Sequence, residues 1–451
     1  MRIVLEKKGV VMKTKWVLPF YLFTFIPLNA QQVWTLRQCA DHAVSHHISI
    51  QQQENICRQR ELQLSTARNS RLPDLQALAS ESFSFGRGLT LDNTYANRST
   101  SSTSFSLGTS VPLFTGFQIP NQVKLNQLNL AAATQDLQKA RNDIRMQVAQ
   151  YYVQILYDME MVDVARRQIA IDSSQVARLT SLVQAGKASQ AELSQQLATL
   201  AQARLTATQA DNNCRLSLLN LSQLLELSSP EGFTIVRPAL NDTVTGEILP
   251  VSPDVVYAEA LVVRPEVQAE QLRLSAADRS IRIAQAALYP TLSLSAGLQT
   301  NYYKTNGLQA ESFSSQLKNN FAQYVGLNLN VPVFNRFVTR NNVRSARLDF
   351  ANQQLQLDQV KKTLYKEIQQ VYYSAVAAHS KCRSSRAACA SSADAFALIQ
   401  AKYEHGKATI TEFNEAKNNL LKAESDLVQA RYEMLYQDAL LDFYRGRDSA
   451  F

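Results

Sequence analysis

The sequence predicts an α+β membrane protein in which a β-barrel continues into a long α-helical coiled-coil barrel. Three observations predict this fold class. The segments 121–185 and 333–405 contain neither glycine nor proline, four short segments alternate between apolar and small polar residues, and this arrangement occurs twice in the chain. We therefore predict two copies of one unit, each with long helices and a pair of strands.

Residues 1–30 have the pattern of a secretory signal peptide. Two lysines precede the apolar run 16–28, and the small residue Ala30 follows it. The run holds two prolines and is shorter than the roughly 20 residues that a membrane-spanning helix needs, so a transmembrane anchor is the less favoured alternative. We predict cleavage after Ala30, with Met1 or Met12 as the start. Because no cysteine directly follows the break, no lipid anchor is expected.

Charge and motif content argue against several classes of function. Residues 1–30 carry five basic residues and one acidic residue, so their removal lowers the net charge from +8 to +4. That charge is weak for nucleic-acid binding, and no basic block with interleaved aromatic residues is present. No catalytic motif or cofactor motif has supporting context, so no enzyme is predicted. His42 and His46 lie one helical turn apart with only Asp41 as a further ligand, so no metal site is predicted.

The two halves of the chain follow one plan. Val111 aligns with Val331 and Gly186 with Gly406, which is an offset of 220 residues. Such self-similarity is the mark of a duplicated structural unit. The predicted organisation is a signal peptide at 1–30, a first repeat at 31–229, a linker or equatorial segment at 230–252 and a second repeat at 253–451.

Long helices dominate each repeat. Apolar residues recur at steps of three and four, and a helix of about 65 residues is about 100 Å long. No globular core has that diameter, so the helices must lie along one another in a bundle or tube; a solvated coiled coil without a lumen remains an alternative. Gly186 and Gly406 are expected to end the long helices as left-handed caps, which places hairpin tips there. The predicted helices are 35–67, 121–185, 190–228, 253–288, 335–405 and 411–445.

Four segments have the period of two that is typical of β-strands. Each has one apolar face and one face of serine, asparagine or glutamine, which suits a barrel with lipid outside and water inside. A soluble, half-buried sheet gives the same period. Four strands cannot close a membrane barrel, so we predict a homotrimer with 12 strands, four from each subunit. The predicted strands are 75–85, 103–111, 291–302 and 324–331, with polar loops at 87–102 and 303–323.

A proline stands at each predicted junction between strand and helix. Proline lacks an N–H and has a fixed φ, so it ends strand pairing and redirects the chain. Four such bends would let a barrel continue into a helical tube. The four junction residues are Pro73, Pro112, Pro290 and Pro332.

Together, these features resemble those of the TolC-type outer-membrane efflux proteins over almost the whole mature length. The resemblance implies a homotrimer of 12 strands and 12 helical columns, with no cofactor. It implies an exit duct in the outer membrane and periplasm, which receives drugs, metals or proteins from a periplasmic adaptor and an inner-membrane pump of the RND or ABC type. The residues that carry it are Thr35, Leu36, Cys39 and Ala43, the paired Val-Pro-Leu/Val-Phe junctions, and Tyr403, Gly406, Glu412 and Glu415.

The resemblance also implies a gate at the periplasmic tips. Tyr403 matches a constriction tyrosine of the family. Glu412 and Glu415 share a helix face, so a trimer would bring six carboxylates to one ring that attracts cations and raises their pKa values. A solvated helix face is the alternative. Where some members carry a latching arginine, this chain has Ala408, and Lys407 is the candidate replacement.

Two further expectations follow from the resemblance. The tips, with Gly186, Lys187, Gly406 and Lys407, are expected to dock the adaptor. The family's glycine after the junction phenylalanine is present as Gly116 in the first half only, so the bend in the second half is expected to differ.

Two other classes of protein compete with a duct. A periplasmic coiled-coil adaptor or scaffold explains the helices but not four alternating strands at duplicated positions. A substrate-gated porin would place strands throughout the chain, whereas here they total roughly 40 residues.

Overall fold

The computed structural model describes residues 33–89, 93–228, 232–238 and 251–447, which form a mainly helical α+β chain. The predicted signal peptide and most of the predicted linker lie outside these ranges. None of the helices in the described ranges combines the length and the apolar character that crossing a membrane requires. In chain order the elements are β1 (Val33–Trp34), α1 (Leu36–His46), α2 (Ile48–Asn69), β2 (Gln76–Leu89), β3 (Tyr95–Thr115), α3 (Gln118–Gln184), α4 (Gln190–Leu224), β4 (Thr234–Ile235), α5 (Pro253–Val263), α6 (Pro265–Ala286), β5 (Thr291–Thr305), α7 (Phe313–Asn319), β6 (Ala322–Asn330), α8 (Val338–Glu404) and α9 (Ile410–Tyr444).

The duplicated order of elements appears with equal helix lengths in both halves. Helices α1 and α5 have 11 residues each, and α2 and α6 have 22. Helices α3 and α8 have 67 residues each, and α4 and α9 have 35. Each half thus folds as two short helices, two strands, one long helix and one helix of half that length.

The single helices expected over 35–67 and 253–288 are each broken once, so this expectation was wrong in detail. His47 and Arg264 have extended backbones, with ψ of 131° and 123°. Pro265 explains the second break, because a residue before proline is pushed out of the helical region. At the first break His47 acts as the N-cap of α2, since its Nδ1 accepts a hydrogen bond from the Ser49 N–H at 3.2 Å.

The four long strands form one antiparallel sheet in the order β2-β3-β5-β6. Its register pairs Ala79 with Phe105, Val111 with Leu294, and Leu294 with Leu327. Residues paired across antiparallel strands point to the same side of a sheet. The predicted apolar faces of all four strands therefore lie on one side.

The strands of the first half are longer than the alternation predicted. β2 and β3 pair continuously from Gln76 opposite Gly108 to Leu89 opposite Tyr95. The polar loop predicted over 87–102 is thus mostly strand, because its serines and threonines lie in a ladder paired with β2 and, from Thr100 onward, with β5 as well. The loop predicted over 303–323 also contains helix α7, whose N-cap is Ser312.

Three of the four predicted junction prolines separate a strand from a helix. Pro73 and Pro290 follow α2 and α6, and Pro332 precedes α8. Pro112 instead lies inside β3, where the register shifts between Pro112 and Phe114. The β-bulge accommodates Pro112, which has no N–H to donate to a neighbouring strand. Strand pairing therefore continues to Thr115, and the turn into α3 comes later than predicted.

The turn from strand to helix uses two consecutive left-handed residues in each half. Gly116 and Phe117 have φ of 60° and 67°, and Arg336 and Phe337 have φ of 53° and 63°. The expectation of a different bend in the second half was therefore wrong, because Arg336 adopts the backbone conformation of Gly116.

The largest hydrophobic core lies where α1, α3 and α4 meet the pair β1–β4. Ile155, Leu221 and Leu225 are fully buried there. The Tyr152 hydroxyl donates a hydrogen bond to the Val236 carbonyl at 2.6 Å, and burial raises the pKa of this tyrosine to about 12. This core fixes the described residues of the linker against the middle of α3.

Candidate functional site

The two hairpin tips are built by the same backbone geometry. Gly186 and Gly406 have φ of 68° and 70°. The N–H of the next residue, Lys187 or Lys407, donates at 2.8 Å to the carbonyl five residues earlier. These are Schellman caps, in which glycine takes the left-handed conformation at little cost. All four tip residues are exposed.

Glu412 has a structural role that the sequence analysis did not assign to it. Its carboxylate accepts hydrogen bonds from the Thr409 N–H at 2.7 Å and the Thr409 hydroxyl at 2.9 Å. These bonds hold the pKa of Glu412 below its usual value. Glu192 and Ser189 form the same capping box in the first half. The spacing of threonine and glutamate three residues apart carried this signal in the sequence.

Glu412 and Glu415 lie on one side of the second hairpin. Both are exposed and line a groove of about 350 Å³ between α8 and α9, together with Ser392 and Asn419. The i,i+3 spacing thus places the two carboxylates at the same surface. The two carboxylates give this groove negative charge, which Lys402 offsets in smaller part at Glu412.

Tyr403 lies between the two hairpins near their tips. Its ring stacks on Phe413 with centroids 5.0 Å apart. Burial raises the pKa of Tyr403, and the positive charge of Arg178 opposes this in smaller part. The phenol is therefore neutral at physiological pH and acts as an apolar ring with one polar end.

Arg178 on α3 joins the first hairpin to the second. Its guanidinium carbon lies 4.8 Å from the centroid of the Tyr403 ring. Its Nη2 donates to the carbonyls of Tyr403 at 3.2 Å and Glu404 at 3.1 Å, at the end of α8. A cation at a helix C-terminus and over an aromatic face is stabilising on both counts.

The cation that contacts Tyr403 from the other hairpin is thus Arg178, whereas Lys407 was the predicted candidate for the latch. Within the described residues, the Lys407 side chain makes no hydrogen bond or ion pair. No sequence pattern marks Arg178, because its partners are more than 200 residues away along the chain.

The second long helix leaves a face open that its counterpart covers. Helix α3 packs against both α2 and α6, whereas α8 packs against α6. Leu348 and Tyr373 on α8 are 67% and 66% exposed, whereas the equivalent Leu128 is half-buried and Val153 is 7% exposed. The contact on α8 that would be equivalent to that of α3 with α6 is one with α2, and α2 and α8 do not pack extensively in the described residues.

Comparisons with known proteins agree over both halves of the chain. The sequence model of a family described as "Outer membrane efflux protein" matches residues 40–226 and 256–447. The outer membrane efflux protein BepC of Brucella suis is 21% identical over 342 residues, which are 75% of this chain and 71% of BepC.

Solved structures show the same fold. The outer membrane protein VceC of Vibrio cholerae matches with a TM-score of 0.75 and 19% identity, over 92% of this chain and 96% of VceC. The CmeC outer membrane channel of Campylobacter jejuni matches with a TM-score of 0.75 and 17% identity, over 92% of this chain and 87% of CmeC.

Proposed function

Because this chain belongs to the outer membrane efflux protein family, we propose that three copies of it form one continuous exit duct. As a member of the family it is an outer-membrane efflux duct protein and not an enzyme, and its helical part lies in the periplasm. The duct conducts its substrates passively, since no energy-coupling motif is present in the sequence. The competing class of a periplasmic adaptor or scaffold is not favoured by the family match.

The open sheet is the observation that carries this proposal. Within the described residues, the edge strands β2 and β6 each have one neighbour. Unpaired N–H and C=O groups on a sheet edge are costly in lipid, so a membrane sheet closes into a barrel. Three sheets of four strands give a 12-stranded barrel, which is wide enough for a channel.

We infer the order of the helices in the trimer from the internal duplication. Helix α2 is the counterpart of α6, and α3 is the counterpart of α8. The exposed side of α8, which includes Leu348, then receives α2 of the next copy, as α3 receives α6 within one chain. Six such contacts, alternating within and between copies, close a tube of 12 helical columns.

The proposed partners act at the periplasmic end. A periplasmic adaptor binds the tips at Lys187 and Lys407, and an inner-membrane pump of the RND or ABC type supplies substrate and energy. The exposure of both lysines beside the tip glycines supports this docking site.

The signal peptide is cleaved after Ala30, and the mature chain carries no lipid anchor.

Native mass spectrometry tests the assembly directly. The full-length protein, extracted with detergent from outer membranes, is expected to appear as a species of three copies, and to form ion-conducting channels in planar bilayers. A water-soluble monomer, or a stable assembly of another number, would overturn the proposed duct.

The Arg178→Met variant tests whether the contact between the hairpins closes the duct. The change removes hydrogen bonds from a charged donor and a cation–π contact, which together are worth about 2 kcal/mol, or roughly 30-fold in an equilibrium. We expect more frequent or larger openings in planar-bilayer recordings of the purified protein.

Arg166→Met is the matched control. Arg166 lies on the same helix, but its side chain is 68% exposed and its nearest acid, Asp163, is 3.9 Å away. Exposed pairs of this kind contribute little, so this variant should conduct like the unmodified protein. Equal conductance of the Arg178 and Arg166 variants would remove Arg178 from the gate.

A further inference from the structure

A buried ion pair lies between the two hairpins. Asp172 on α3 and Lys417 on α9 form a salt bridge, and neither side chain is more than 1% exposed. Oδ1 of Asp172 also accepts a hydrogen bond from Gln196 Nε2 at 3.1 Å. Asn414 Nδ2 donates to Gln196 Oε1 at 3.4 Å. This polar joint therefore links α3, α4 and α9.

The polar joint is not the most stabilising way to pack two helices against each other. A buried ion pair loses its hydration, and apolar residues of similar volume are often as stabilising or more so. Two oxygens of the joint, Oδ2 of Asp172 and Oδ1 of Asn414, are also buried without partners in the described part of the chain. The best-attested role of such groups is to fix a register or to permit a switch.

The internal duplication does not repeat this pair. At the offset of 220, Ser392 stands at the position of Asp172 and Leu197 at the position of Lys417. Ser392 lines the open groove beside Glu412 and Glu415. The charged pair thus belongs only to the contact between the two hairpins of one chain.

The pair is placed to control the tip. Lys417 lies one helical turn after Phe413, whose ring stacks on Tyr403. Asp172 lies fewer than two turns before Arg178, which binds the end of α8. A shift of α9 along α3 would break the salt bridge and displace both gate contacts together.

We propose that Asp172 and Lys417 are a positioning pair that sets the register of the second hairpin on the first and lets the two part reversibly at the tip. This inference rests on the proposed duct and its gate. When the hairpins part, the carboxylate, ammonium and amide groups of the joint become hydrated. An apolar joint would instead expose hydrophobic surface and resist opening.

Two variants separate this role from simple packing. Lys417→Met leaves the Asp172 carboxylate buried without its cation, so the midpoint of thermal unfolding should fall and the channels should leak. The equilibrium constant for separation of the two hairpins should rise by about 100-fold.

The double variant Asp172→Leu/Lys417→Met should regain or exceed the original midpoint of thermal unfolding. It should nevertheless conduct at least about tenfold less, because its joint is apolar. Circular dichroism and planar-bilayer conductance of the full-length protein measure the two effects.

Arg167→Gln/Glu424→Gln is the matched control. This pair also joins α3 to α9, at 3.3 Å, but its side chains are 54% and 28% exposed. It should change neither the midpoint nor the conductance by much.

A double variant at Asp172 and Lys417 that conducts like the unmodified protein overturns the proposal, as does a Lys417→Met variant with an unchanged midpoint. If Lys417→Met does not fold, the conductance of the double variant decides alone. Failure of the unmodified protein to form channels would instead refute the duct itself.

Discussion

Gly116→Ala is expected to prevent the accumulation of folded protein in the outer membrane. A Cβ atom at this position would lie 2.5 Å from the Ala286 carbonyl oxygen and 2.9 Å from the Tyr289 Cβ. Both belong to backbone or to atoms next to it at the end of α6, so neither can swing away. The left-handed φ of 60° adds a further cost of about 1 kcal/mol for alanine. Overpacking destabilises the fold by about 3 kcal/mol or more. The total destabilisation is therefore a large part of the free energy of unfolding of a typical domain.

Gly186→Ala separates these two causes. Its φ is 68°, but nothing lies within 4 Å of the Cβ atom that alanine would add. This variant should therefore lose only the backbone contribution, about 1 kcal/mol. The measurement is the yield of protein from outer membranes, together with its thermal unfolding followed by circular dichroism. If the two variants lose the same stability, the close approach of α6 to Gly116 is not what requires glycine.

The turn before α8 forms without glycine. The missing glycine in the second half predicted a different bend, yet Arg336 has the same left-handed backbone. The bend is accompanied by the same aromatic contact in both halves, Phe114 with Phe117 at 5.4 Å and Phe334 with Phe337 at 5.6 Å. What glycine provides at position 116 is room for α6 and not the bend. Such room depends on a neighbour 170 residues away, so one sequence does not reveal it.

The long helices were predictable because their signals are local. The prediction of 121–185 compares with Gln118–Gln184, and that of 411–445 with Ile410–Tyr444. Absence of glycine and proline, apolar periodicity and a glycine cap are all contained within the segment itself. The faces of the strands were predictable for the same reason. The ends of the strands were not predictable, because serine and threonine at 99–102 fit a strand only when neighbouring strands pair with them.

The residues at the tip also differ in whether a local sequence pattern predicts their position. The tip glycines and the shared face of Glu412 and Glu415 follow from spacing along one helix. Arg178 and Lys417 do not, because each acts on a residue of the other hairpin. Both were ordinary basic residues in the sequence, and only the packing of α9 on α3 gives them a role.

Glu412→Gln/Glu415→Gln is expected to lower the cation selectivity of the channel strongly. In the proposed trimer this change removes six negative charges from one ring, and the attraction of such a ring for divalent cations depends on charge. Block by divalent cations should therefore weaken by at least about tenfold. Single-channel recordings in planar bilayers, with the blocking ion added on the side of the helical tips, measure the effect.

The substitutions keep the fold of the hairpin, so the loss can be assigned to charge. Glutamine at position 412 still accepts a hydrogen bond from the Thr409 N–H, since capping boxes accept glutamate and glutamine alike. At the position of Glu415, the first hairpin already carries the neutral Gln195. Glu192→Gln is the matched control, because it removes a charge from the same capping box in the first hairpin. Unchanged block in the double variant would place both glutamates on a solvated face away from the pore, whereas an equal loss of block in the control would show that the effect is not specific to Glu412 and Glu415.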